Sequence, residues 1–115
     1  MATTITDEEV SALVATAVPY SLVQLWWADE REQEGAAQIE AGHQRRMASL
    51  RADGIIAILC PVASDVLAGS AVLTVTPDEA AAIMADDPCV QAGMMRVDVN
   101  LCHSFPGDSL PAPTH

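Results

Sequence analysis

Thr76-Pro77-Asp78-Glu79-Ala80-Ala81-Ala82-Ile83-Met84-Ala85-Asp86-Asp87-Pro88 is the stretch on which the fold turns. Thr76 is placed to cap the amide of Glu79, Glu79 to reach back, and Pro77 to take the first helical position. Ala80, Ile83, Met84 and Asp87 then share one face by three-and-four spacing. Pro88 stops the helix by disfavouring helical geometry at the residue before it. The segment therefore carries an apolar stripe suited to covering a sheet, with a carboxylate at its end. A buried acid needs a partner, and His43 upstream offers a matching one.

The upstream segment reads as a helix over residues 36–52, ended by Asp53-Gly54. Its inward face runs Ala36, Ile39, His43, Met47 and Leu50, while Gln44, Arg45, Arg46 and Arg51 fall largely off that stripe. His43 is thus the one titratable side chain among the apolar positions of this helix, as Asp87 is on the other. Either residue alone reads as a satisfied polar group of a core. Two of them, on two helices of one small domain, point to a dyad.

With 115 residues the chain is one domain, large enough for a core but not for two. Half of it is apolar, which leaves disorder only to the ends. The formal net charge is -11 and there is no lysine. That balance argues against a nucleic-acid binder, which needs a basic face, and removes a lysine Schiff base as a mechanism. Cys60, Cys89 and Cys102 are odd in number and lack CxxC spacing, so neither a disulfide framework nor a zinc site is expected. In apolar contexts they read as small hydrophobes, with a nucleophilic Cys60 or Cys89 beside His43 as the sharper alternative. His43, His103 and His115 show no metal-ligand spacing, and no metal or cofactor is expected. No apolar run reaches spanning length and the N-terminus lacks a basic signal segment, so no membrane contact and a cytoplasmic location are expected.

Along the chain, Thr6 to Glu9 repeats the capping pattern and opens a short helix over 7–17, within an N-terminal extension of residues 1–18. Strands are expected over 20–27, 55–60, 67–75 and 94–103, with an irregular turn at 89–93 and an irregular tail over 104–115. The core domain, 19–103, is then βαββαβ: an α+β, ferredoxin-like antiparallel sheet with an extra N-terminal helix. Met95, Val97, Val99 and Leu101 alternate with a mixed face bearing Arg96, Asp98 and Asn100. In the second strand Ile55, Ala57 and Leu59 oppose Ile56, Ile58 and Cys60, so both faces are apolar. A sheet with helices on one side only has no monomeric reason for that, and a homodimer covering the open face is expected.

These features resemble the YCII-related family. The resemblance rests on His43, the turn near Cys60-Pro61, the Thr76-Pro77-Asp78-Glu79-Ala80 opening, and above all Asp86-Asp87-Pro88-Cys89-Val90-Gln91-Ala92-Gly93, similar to the family's Asp-Pro-x-x-x-Ala-Gly segment. It spans roughly residues 20–103. The resemblance implies a dimeric α+β barrel whose active site is a His–Asp pair, carried here by His43 and Asp87, and small, often aromatic or quinol-like substrates. Cys60 stands where the family often has glycine, and the N-terminal helix and tail lie outside the usual core.

Such a dyad suits proton abstraction and return: a lyase, isomerase or cyclase acting on a small carbonyl or aromatic compound. The competing classes are a non-catalytic ligand-binding or accessory scaffold dimer, and a cofactor-free monooxygenase of the antibiotic-biosynthesis type. Ser49 and Ser70 lack a nucleophile elbow, which sets serine hydrolysis aside. Trp26 and Trp27, adjacent on a strand, should point to opposite faces, one toward the helices and one toward the dimer side. Core and interface packing is the simpler reading of both, and the functional alternative makes one of them a stacking wall for a flat substrate. Cys60 and His103 complete the candidate substrate-binding set.

Overall fold

The computed structural model describes residues 2–114; Met1 and His115 lie outside the described residues. In order along the chain come α1 (Asp7–Val14), β1 (Val18–Trp27), α2 (Ala36–Ala52), β2 (Ile56–Pro61), β3 (Leu67–Leu73), α3 (Pro77–Ala85), α4 (Pro88–Gln91) and β4 (Met95–Ser104). The chain is α+β, with a four-stranded antiparallel sheet in the order β2-β3-β1-β4. That order is compatible with a ferredoxin-like arrangement, in which each helical crossover skips over the strand between the two it joins. Among the described residues, no helix is long and apolar enough to cross a membrane.

The chain divides into two compact units, Tyr20–Cys102 and the pair of segments Met1–Pro19 and His103–His115. In the second of these, α1 carries the capping box expected of Thr6 and Glu9 and ends at Val14, three residues short of the expected end. None of its residues is buried.

Within Tyr20–Cys102, alternate residues of β1 and β3 and Met95, Val97 and Val99 of β4 join one core, while Leu101, expected on the same row, is exposed. Ser21, Leu73 and Ile56 form one cross-strand row, and Val23, Ala71 and Leu59 the next. Met47 of α2, Ala80 and Met84 of α3 and Cys89 of α4 close over them, so these helices share one face of the sheet. The opposite face carries Leu22, Val72 and Ile58 as paired, half-buried neighbours.

The second strand departs from the simple alternation expected of it. Ile56 pairs with Leu73 and Ile58 with Val72, so Ala57 is a bulge and is exposed. One extra residue reverses the facing of everything after it. Ile56 and Leu59 therefore share the helix face, and Ile58 and Cys60 the other. Opposite Pro61, β3 requires Gly69: a Cβ there would lie 3.0 Å from the Cys60 carbonyl oxygen.

The stretch that opened the reading also differs. Thr76 accepts a hydrogen bond from the Glu79 amide (3.3 Å) and donates its hydroxyl to the Glu79 carboxylate (3.1 Å), with Pro77 as the first helical residue. The helix ends at Ala85 rather than running to Asp87. Asp87 has extended backbone (φ -70°, ψ 135°), and Pro88 opens a new helical turn where an irregular one was expected. The reason lies in proline. It forces its predecessor out of helical geometry, and its own fixed φ suits the first position of a helix. Asp87 is consequently a cap, not the last rung of a stripe.

Candidate functional site

As the N-cap of α4, Asp87 turns its side chain back toward the protein and accepts the Cys89 amide at 3.0 Å. The residue is fully buried, at 0% exposure. A carboxylate in such a place requires donors. His43 supplies one: Nδ1 lies 2.8 Å from both carboxylate oxygens. Since a carboxylate has no hydrogen to offer, Nδ1–H is the donor and Nε2 carries the lone pair of the neutral ring. Arg46 supplies another positive group, its guanidinium 3.7 Å from Asp87 Oδ1 and donating to the Ile83 carbonyl at 2.6 Å. Among the described residues one nitrogen of Arg46, Nη1, has no hydrogen-bond partner.

His43 is positioned by α2, whose Met47 is buried and whose Ile39 and Leu50 pack on the core. Gly42, beside it, faces Pro88 across the α2–α4 contact. The His43 ring, 12% exposed, also lines a cavity of about 360 Å³ between α2 and the sheet. With Nδ1 held by Asp87, the edge of the ring bearing Nε2 is the one left for the cavity.

The cavity is mostly apolar, built from Val23 and Leu25 of β1, Leu59 of β2, Met47 and Met84 of the helices and Met95 of β4. Trp27 forms part of its wall and is fixed on two sides, with its Nε1–H donating to the Ser64 carbonyl at 3.0 Å and Arg31 stacked 3.8 Å from the ring centre. Cys60 also lines the cavity. Trp26 does not: it points to the other face of the sheet and donates to Asp98 at 2.8 Å. His103 is exposed and is not a cavity residue. Of the four residues expected to touch a substrate, Trp27 is therefore placed to do so; Cys60 borders the cavity from a strand position whose side chain belongs to the opposite face of the sheet.

No protein-family model matches the chain, and no curated protein matches it.

The sequence reading passed over three further residues. Glu40 and Gln44 line the cavity, and Arg46 reaches Asp87. Each lies within four positions of His43 on α2, so helical neighbourhood was the signal that could have found them.

His43, Asp87 and Cys89 bring potential ligand atoms within 4.8 Å of one another. In this structure the three groups are engaged otherwise. The Nδ1–carboxylate distance of 2.8 Å is that of a direct hydrogen bond. The Cys89 thiol is pushed up from its ordinary 9.0 to about 12, by burial first and then by the charges of Asp87 and Glu40. A thiol so disfavoured from ionising is not a ready nucleophile. The described cysteines are all free.

Proposed function

We propose that the chain is a small acid–base enzyme of lyase, isomerase or cyclase type, acting on a small carbonyl-containing or aromatic compound. The observation that carries this reading is a single one: a buried carboxylate holds one nitrogen of His43 while the same ring lines a cavity of about 360 Å³. In the mechanism, His43 Nε2 takes an acidic C–H or O–H proton from the ligand and returns it at another atom. Asp87 fixes the ring's tautomer and supports the imidazolium that forms in between. Arg46 and the Cys89 amide keep the Asp87 carboxylate in place. Trp27 offers a flat wall against which a ring can stack.

Membership of the YCII-related family and a cytoplasmic homodimer belong to the same proposal. The apolar row Leu22, Val72 and Ile58 on the sheet face away from the helices supports a second copy as its cover.

A second reading makes the dyad structural, in a ligand-binding or scaffold dimer. The bond from Asp87 to His43 favours it, because it ties α2 to the cap of α4. The two readings separate in one experiment. Uncharged carbonyl and phenolic compounds are screened for turnover, with His43→Ala as the comparison. Loss of turnover at an unchanged melting temperature supports the enzyme. Turnover retained in His43→Ala refutes it.

A further inference from the structure

The chain has five side-chain cations, Arg31, Arg45, Arg46, Arg51 and Arg96, and no lysine. Their positions account for all of them. Arg31 stacks on Trp27 and pairs with Asp65 at 3.5 Å. Arg46 is engaged by Asp87 and the Ile83 carbonyl. Arg96 pairs with Asp98 at 3.5 Å and lies over Trp26, and Arg45 and Arg51 are exposed. None of the five lines the cavity.

The polar groups that do line the cavity come mainly from one helix face: Glu40, His43 and Gln44. Glu40 and His43 are three residues apart on α2, which sets their Cβ atoms roughly 5–6 Å from each other. A ligand reaching His43 therefore lies beside the Glu40 carboxylate, against otherwise largely apolar walls. A carboxylate or phosphate on the ligand would be desolvated there with no arginine in the lining to pair it, His43 already engaged by Asp87, and a like charge nearby. A hydroxyl or amide would instead find acceptors in both Glu40 and His43 Nε2.

We propose that Glu40 makes this cavity selective for uncharged ligands that carry a hydrogen-bond donor, and that it excludes their carboxylated analogues. The inference deepens the acid–base reading by giving the charge class of its substrate, and rests on that reading only for the word substrate. As a determinant of specificity, Glu40 acts on binding whether or not turnover follows.

The test uses two probes of the same size, para-hydroxybenzamide and para-hydroxybenzoate. Affinities are measured by calorimetry on the wild type and on Glu40→Gln, and the site of binding is read from the Trp27 indole N–H signal by NMR. The expected result is an amide bound at least about tenfold more tightly than the carboxylate, equivalent to about 1.4 kcal/mol. In Glu40→Gln the gap should shrink to about threefold or less. Equal or tighter binding of the carboxylate overturns the proposal, as does a gap that survives Glu40→Gln, or failure of both probes to move the Trp27 signal. The two claims fail separately. Turnover retained in His43→Ala would sink the enzyme reading while leaving the binding preference intact.

Discussion

Asp87→Asn is the substitution whose consequences the geometry fixes most closely. The carboxylate accepts His43 Nδ1–H at 2.8 Å and the Cys89 amide at 3.0 Å, and faces Arg46 at 3.7 Å. An amide has one acceptor and one donor end. If its oxygen stays on the Cys89 amide, its NH₂ faces Nδ1, and the ring must move its proton to Nε2 to accept. If the oxygen stays on Nδ1, the NH₂ meets the Cys89 N–H, donor against donor. The first arrangement replaces bonds to a charged group by neutral ones and the second loses one outright, and in both Arg46 keeps the Ile83 carbonyl but loses its counter-charge. Bonds to charged groups are worth about 1.5–3 kcal/mol. For a chain of this size a loss of about 2 kcal/mol lowers the melting temperature by roughly 10 °C. The first arrangement also moves the lone pair away from the cavity, and both remove the carboxylate that supports the imidazolium, so turnover should fall by ~10²–10⁴-fold. Calorimetry gives the first quantity, and nitrogen-15 NMR of the histidine ring reads the tautomer directly. An Asp87→Asn protein that keeps Nδ1–H and melts within about 2 °C of the wild type would refute the reasoning.

Two further outcomes follow from single contacts. Gly42→Ala should stabilise the fold by roughly 0.5–1 kcal/mol, because glycine is a poor helix residue and the added Cβ meets Pro88 Cγ at an ordinary 3.8 Å; thermal unfolding checks it, and a lower melting temperature would contradict it. With the Cys89 thiol raised to about 12, the folded state holds a proton that the unfolded chain releases above its ordinary 9.0. Stability should therefore fall as pH rises between those two values, by at most about 1.4 kcal/mol per pH unit from this group. Denaturant titration of the wild type against Cys89→Ala measures the difference, and equal slopes in the two proteins would contradict it.

What the sequence disclosed follows from how local each feature is. The bounds of α2 were legible because Ile39, His43, Met47 and Leu50 repeat along one helix and Asp53-Gly54 ends it, with Gly54 in the left-handed conformation (φ 77°). The proximity of His43 and Asp87 was legible because each was a lone polar residue beside apolar helix positions, although Asp87 reaches His43 from a cap and not from the stripe itself. The bulge at Ala57 was not, since a bulge is defined by the partner strand and leaves the apolar pattern of Ile55 to Leu59 unmarked. Nor was the cap at Asp87, because Asp-Pro reads equally as the end of one helix and the start of the next. Arg46 and Glu40 were hidden by their chemistry. Long charged side chains on a helix flank read as solvated until their contacts with Asp87 and the cavity are seen.

The central claim, that His43 presents a proton-accepting nitrogen to a ligand in the cavity, is tested most directly by hydrogen exchange on β-tetralone. This uncharged ketone has acidic protons beside its carbonyl and is small enough for a cavity of about 360 Å³. In deuterated buffer near neutral pH, loss of those proton signals is followed by NMR with wild type, with His43→Ala and with buffer alone. The account predicts that the wild type accelerates the loss well beyond buffer and that His43→Ala returns it to the buffer rate. Exchange by His43→Ala as fast as by the wild type, or by the wild type no faster than buffer, would contradict it.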